Sequence, residues 1–481
     1  MGNSQKVMRV ILPATSIVDL SDVTTTQMVI PTIYEKDLGK YQSIYVENFQ
    51  KNKTNSFSDY DDFPVIDFNK EKNKIYTGKY IGFLSHKVKN TTTQITINTG
   101  YHPELLYRML DVSNEIYITQ QHTDFIKSHL NDLPKQIIEY LFLSALNKAL
   151  INGIPCEYRI IERKDSNLSG KICLSKYIKN ELGRSCYFSQ KLNKRLPVKE
   201  ICDVIYCTLS LIKTQKIKGY SRISKSLFCS DSTVASGITN KIINKAKTHN
   251  VLSNPLFSNY RKVLDYAEII LKNKGGLTAE SIESETTYGF LIDVSALWEN
   301  YLEKLLKKNL HQWKVSSQSP TSVCNNSFFK RTIIPDFILE NITSGKTVIL
   351  DAKFKQMRFI KQDLDREDFY QIAYYHSYFY SDKAYKDSSL TSSTSFLIYP
   401  LSVNLPSIEN RCSDLFSVKD NKDQLCITGI YVGPKDASIH ISSPKNNKEE
   451  PETQKEFGDY HILEAERLFI SDIVAIINCN Q

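Results

Sequence analysis

Residues 331–355 read RTIIPDFILENITSGKTVILDAKFK. Two apolar runs, TIIPDFIL and TVILDAKF, flank a short polar turn over 341–346 that contains Gly345, which is the pattern of a β-hairpin. In the second run Asp351 and Lys353 stand two apart and project from one face of a strand, with Leu350, Ala352 and Phe354 on the other. Asp336, in the first run, can lie across the turn from them. Two carboxylates and a lysine converging on one spot suit phosphodiester hydrolysis. The carboxylates hold one or two hard divalent cations such as Mg²⁺, and these neutralise phosphate and acidify a water. The lysine orients that water or stabilises the developing charge. A D-x-K triplet by itself is common and also fits an ordinary hairpin with solvent-facing charges. The flanks favour the first reading: Asp351 directly follows the apolar run 348–350, where an internal strand is expected, and a charge there needs a partner or a metal.

Two neighbouring helices add to this core. Upstream, 293–308 (DVSALWENYLEKLLKK) places Val294, Leu297, Trp298, Tyr301, Leu302, Leu305 and Leu306 on one helical stripe. Glu299 lies at the margin of the stripe, placed to complete a metal site, whereas Glu303 lies opposite and reads as a solvated charge. Downstream, 368–380 (DFYQIAYYHSYFY) sets Gln371 and Tyr375 four apart on one helix face. Packing of an aromatic helix would also explain that pair.

The spacing Pro335-Asp336, then Asp351-Ala352-Lys353, resembles the PD-(D/E)xK nuclease superfamily, and Gln371 with Tyr375 resembles the Q-x-x-x-Y element of RecB-type nucleases. In chain order come W-E-x-Y, R-x-x-x-P-D, D-A-K-F-K, D-x-Y-Q-x-x-x-Y and F-L-I-Y-P at 396–400. Together they resemble the McrC family, nuclease subunits of modification-dependent restriction systems that work with a GTP-hydrolysing AAA+ motor, McrB. LlaJI-type restriction nucleases share that pairing. The resemblance implies a Mg²⁺-dependent endonuclease acting on double-stranded DNA. In it Asp336 and Asp351 bind metal, Glu299 supports metal or water, Lys353 activates the water, and Gln371 and Tyr375 position DNA or the lysine. It also implies that GTP is bound by the partner rather than by this chain.

Composition sets the frame. The chain has 481 residues, 41% of them hydrophobic, with 28 Tyr and 22 Phe, enough for substantial cores and, by length, about three domains. A net charge of +8 is compatible with a polyanionic partner without deciding for one. Ten cysteines occur without C-x-x-C or clustered Cys/His spacing, so neither zinc nor a disulfide framework is expected, and they read as reduced intracellular thiols. The first twenty residues are broken by Pro13 and Asp19 and lack a signal-peptide core. The longest apolar helical segment, 134–150, carries Lys135, Glu139 and Lys148 and is not expected to span a membrane. A cytoplasmic protein is expected.

Along the chain, 1–115 reads as a β-rich N-terminal domain, with strands at 9–12, 27–33, 75–84 and 94–98 and a helix starting at Pro103. Its Tyr76–Leu110 order weakly resembles the start of McrC proteins, with Asn98-Thr99-Gly100 where that family has proline-lysine. A mixed helical middle region, 116–285, contains helices at 131–154, 198–212 and 260–271, a strand at 156–162, and a polar stretch over 165–195 that reads as irregular. Its basic segment 216–247 suits either phosphate contact or a solvated helical hairpin, and the region as a whole suits docking on an AAA+ partner. Gly275-Gly276 and the acidic run that follows read as a linker. Residues 286–481 form the nuclease domain. The sequence G-x-x-x-x-G-K-[ST] is absent, so the chain is not itself the motor. The expected fold is α/β: a C-terminal PD-(D/E)xK domain of mixed sheet flanked by helices, behind an α+β N-terminal region. A stand-alone repair or recombination nuclease is the alternative function, and a regulatory adaptor a third.

Overall fold

The computed structural model describes residues 6–14, 16–19, 32–38, 44–47, 63–69, 71–72, 74–88, 91–101, 103–113, 133–180, 187–212, 225–228, 238–273, 285–323, 331–355, 357, 364–381, 394–402, 405–407, 411–414, 424–432 and 462–479. Residues 27–31 of the expected strand 27–33, nearly all of the linker and much of the basic segment lie outside these residues. The architecture is mixed α/β, in two compact units: Met1–Pro134 with Ser284–Gln481, and Lys135–Glu283.

The hairpin forms as its pattern dictates. Strand Phe337–Asn341 runs antiparallel to Thr347–Ala352, with Phe337 opposite Leu350 and Glu340 opposite Thr347. Gly345 takes the turn at φ 68, a left-handed conformation that glycine adopts without steric cost. The sheet continues from Thr347–Ala352 to Thr394–Leu401 and on to Gln424–Tyr431, both steps parallel, with Trp313–Ser317 and Cys412–Asp414 as antiparallel edges. Every residue of Thr347–Ala352 and Thr394–Leu401 is buried, which is why both read as near-continuous apolar runs. The parallel crossover contains helix Arg366–Ser381, whose Ile372, Tyr375 and Phe379 pack against Leu397, Tyr399 and Leu401.

The first apolar run does not form one strand. Arg331–Ile333 pairs with Thr321–Val323, and the sheet strand begins only at Phe337. Pro335 lacks the N–H a continuous ladder needs, so Asp336 sits in the break between strands. Residues 75–84 likewise divide, into Lys74–Thr77 and Tyr80–Val88. Helix Ile462–Cys479 joins the same unit through Glu466, which accepts from Arg108 Nε at 2.6 Å and from Tyr301 Oη at 2.8 Å.

A five-stranded sheet has the order Lys6–Pro13, Thr91–Asn98, Tyr80–Val88, Glu285–Asp293, Ile44–Glu47. Strand Glu285–Asp293 lies antiparallel to Tyr80–Val88 and parallel to Ile44–Glu47. The expected separation of 1–115 from 286–481 therefore differs from the compact units, because one sheet is built from both. The second unit carries helices Lys199–Leu211, Asn240–Lys247 and Tyr260–Asn273. Its stretch 165–195 is not irregular: Cys156–Asp165 and Phe188–Pro197 pair antiparallel over ten residues, with Lys171–Ile172 beside them and helix Leu174–Asn180 between. Lysine-rich alternation with half-exposed apolar residues hid these strands.

One expectation from the cysteines is corrected. Cys412 and Cys426 face each other across an antiparallel pair, with Cα atoms 4.1 Å apart, and are disulfide-bonded. Their separation of 14 residues matches no motif, so only the strand register brings them together. No helix among the described residues is long and apolar enough to cross a membrane.

The pairing of Glu285–Asp293 with the N-terminal sheet is testable at Gly82. It has φ +150, and a Cβ there would lie 1.9 Å from the carbonyl oxygen of Phe290. Gly82→Ala should destabilise the protein by about 2 kcal/mol or more through steric conflict and backbone strain, read as a lowered denaturant midpoint. An unchanged midpoint would mean that strand Glu285–Asp293 does not lie against Gly82.

Candidate active site

Asp351 lies in a strand covered on both faces and is 0% exposed. Apart from the ion pair with Lys353 Nζ, 2.8 Å from Oδ2, neither carboxylate oxygen has a hydrogen-bond partner. Leaving such a group without donors costs roughly 1–3 kcal/mol or more, which the fold retains at this position. Lys353 is held in turn: its backbone N–H donates to the carbonyl of Ile398 on the parallel neighbour, and Nζ donates to Gln371 Oε1 at 2.7 Å.

From there the bonds run in one direction. Gln371 Nε2 donates to Tyr375 Oη at 2.9 Å, and Tyr375 Oη donates to the carbonyl of Ile334 at 3.3 Å. Because Lys353 can only donate and the Ile334 carbonyl can only accept, the amide orientation of Gln371 is fixed. The chain of bonds ends two residues before Asp336. Asp336 Oδ2 accepts from the backbone N–H of Ala352 at 2.7 Å, beside Asp351. Asp336, Asp351, Lys353, Gln371 and Tyr375 are thus brought to one place by the strand break at Pro335, the strand Thr347–Ala352 and the crossover helix.

Glu299 comes from helix Val294–Asn309, capped by Asp293, whose side chain accepts from Ala296 N. Trp298 packs edge-on against Phe354, with ring centroids 6.0 Å apart, setting this turn of the helix beside the end of the catalytic strand. Glu299 Oε2 accepts from Gln318 Nε2 at 2.8 Å, and its charge is felt at Asp336. Glu303, expected to be solvated, is engaged by Lys307 and by Ser317 Oγ.

Burial pushes the Asp336 carboxyl well above its ordinary value, and the negative charges of Asp351 and Glu299 add to the rise, against the Ala352 N–H and Lys353. Asp351 is also raised by burial, opposed by Lys353. Burial works against the charge on Lys353, yet the adjacent Asp351 outweighs it and the net displacement is upward, so Lys353 is cationic at neutral pH.

Two buried carboxylates whose negative charges oppose each other fit a hard cation. Mg²⁺ is commonly held by one or two carboxylates, its other positions going to water and phosphate. Among the described residues no group of three His, Cys, Asp or Glu is gathered to hold an ion. Sequence reading missed Gln318, which stands between two serines and carries no motif. It also missed the support behind Lys353: Asp368, buried, pairs with Lys355 Nζ at 2.7 Å and accepts from Tyr399 Oη at 3.0 Å.

Compared with known proteins, residues 75–400 match the family model described as McrBC 5-methylcytosine restriction system component. The chain is similar to one in a refined half-complex from a tetradecameric assembly of Thermococcus gammatolerans McrB AAA+ hexamers with bound McrC. The identity is 14%, the coverage 97% of this chain and 100% of that one, and the TM-score 0.49. A second similar chain is in the cryo-EM structure of the Thermococcus gammatolerans McrBC complex, at 17% identity, covering 64% of this chain and 89% of that one, with a TM-score of 0.35. No curated protein matches.

The electrostatics give a stability prediction. A carboxyl raised on folding binds more protons folded than unfolded between its ordinary 3.8 and its raised value. Its contribution is therefore most favourable below that window and declines as pH rises through it. Asp336→Asn keeps an acceptor for Ala352 N–H and gives Asp351 a donor. In divalent-free buffer the variant should be more stable near neutral pH by about 1–3 kcal/mol. The gain should shrink as pH falls toward 3.8, read as melting curves across pH.

Proposed function

This chain belongs to the McrBC 5-methylcytosine restriction system component family, and from that premise we propose that it is the system's Mg²⁺-dependent endonuclease subunit, with a PD-(D/E)xK nuclease domain in its C-terminal part. The observation that supports the reading is Asp351: a fully buried carboxylate whose oxygens have no partner beyond the ion pair with Lys353, and whose charge acts on Asp336. A structural role would be served better by an apolar residue, since burying an ion pair is seldom stabilising against a well-packed apolar substitute.

Asp336 and Asp351 would hold Mg²⁺, which when bound neutralises phosphate charge and acidifies a water. Lys353, kept protonated by Asp351, presents a fixed positive charge where negative charge develops on the phosphate. Gln371 holds the ammonium in place, and Tyr375 fixes the amide of Gln371, so the lysine does not have to be reoriented during reaction. Glu299 supports the metal or its water from the neighbouring helix. The substrate is double-stranded DNA. The partner is a cytoplasmic AAA+ GTPase of the McrB type: this chain has no nucleotide-binding loop of its own, and its middle region, 116–285, is proposed to dock on the motor.

Asp351→Ala in the full chain should lower DNA cleavage about a thousandfold or more, the several kcal/mol a catalytic cation supplies. It should leave the melting temperature and stimulation of the motor's GTP turnover intact. The intact chain is required, because a cut near 285 would remove strand Glu285–Asp293 from between Tyr80–Val88 and Ile44–Glu47. Full cleavage by the variant would reject the assigned site. Efficient cleavage at defined sites without motor or GTP, with no change in GTP turnover, would replace this reading with an autonomous nuclease.

A further inference from the structure

Among the described residues Gln318 is the one non-glycine residue with positive φ, at 45. It follows strand Trp313–Ser317, whose last residue pairs with Phe337. Left-handed backbone in a residue with a side chain is disfavoured and persists where surrounding bonds over-determine it. Both ends of Gln318 are so engaged. Its backbone N–H donates to the carbonyl of Asp336 at 3.0 Å, and its side-chain Nε2 donates to Glu299 Oε2 at 2.8 Å. One residue thus bridges the loop that carries the first aspartate and the helix that carries the glutamate. The preceding Ser317 donates to Glu303 Oε1 at 2.7 Å, so helix Val294–Asn309 is held at two successive turns by the end of this strand.

The arrangement runs against simple electrostatics. Glu299 and Asp336 carry like charges, yet Gln318 binds both the Glu299 carboxylate and the Asp336 backbone. An unrestrained glutamate at the margin of a helix would turn toward solvent. The amide of Gln318 ties it to the strand end that also bonds the Asp336 backbone. We propose that Gln318 is a positioning residue that holds the Glu299 carboxylate toward the divalent cation, with its left-handed backbone serving to aim that amide. This rests on Asp336 and Asp351 being the cation's donors, as in the function proposed above.

Gln318→Gly separates the side chain from the backbone. Glycine accepts φ 45 without strain and keeps the N–H to Asp336, while the amide is lost. Calorimetric titration of Mn²⁺ into the full chain, without DNA, should show about tenfold weaker binding by this variant, the usual effect of removing an outer-shell partner. The melting temperature should be unchanged or raised. Gln318→Asn, which tolerates the same backbone but has a shorter amide, should weaken binding similarly. Glu299→Gln should weaken binding as well, and adding Gln318→Gly to it should cause no further loss. Wild-type affinity in Gln318→Gly, or in Glu299→Gln, while Asp351→Ala abolishes binding, would overturn the positioning role and leave the aspartate site standing. Unchanged binding by Asp351→Ala would overturn the site itself and this role with it.

Discussion

The interaction on which the rest depends is the burial of one carboxylate, Asp351, in a strand closed on both faces. Thr347–Ala352 lies between an antiparallel neighbour and a parallel one and is buried throughout. A charge in such a strand cannot reach water, and no donor other than Lys353 meets its oxygens. The fold answers with a single cation two residues on, so the strand must end where Lys353 can turn back onto Asp351. The next steps follow from that one: Lys353 needs a second acceptor, Gln371 supplies it, and the crossover helix has to lie against the strand's end.

The same constraint explains the placement of Asp336. Were the run before it a continuous strand, its carboxylate would take a position in the pleat fixed by the ladder. The break at Pro335 frees it to accept from Ala352 N–H and to approach Asp351, at the expense of burial and of Asp351's charge, which raise the Asp336 carboxyl. Stability is given up locally, and the apolar sheet and the packing of Ile372, Tyr375 and Phe379 on it offset the loss.

How much of this was legible in the chain follows from the range of the interactions. The hairpin, the crossover helix and the helix from Val294 carry strong periodic patterns, and the residues of the site lie inside those patterns, so Asp336, Asp351, Lys353, Gln371 and Tyr375 could be named in advance. The break at Asp336 was signalled by Pro335 and was read through. Gln318 was illegible, because its importance resides in a backbone angle and two long-range bonds rather than in residue type. The Cys412–Cys426 pair and the long hairpin of the second unit were hidden for related reasons. One depends on register, and the other is a sheet whose apolar alternation is diluted by lysines.

The sheet that includes Glu285–Asp293 shows why the boundary at 115 had no counterpart in a compact unit. Strand pairing between segments some two hundred residues apart leaves no local trace, since hydrogen bonds of the backbone carry no residue code. Yet the consequence reaches the site. Glu285–Asp293 ends in Asp293, which caps the next helix and pairs with Lys79 at 3.3 Å, while Val294 N–H donates to the carbonyl of Lys79. The start of the helix that bears Glu299 is therefore fixed by the N-terminal sheet, and its second turn by Gln318 at the edge of the other sheet. Glu299 stands where two sheets jointly define a helix axis. Its distance from Asp336 is thus a property of the whole unit rather than of either segment alone.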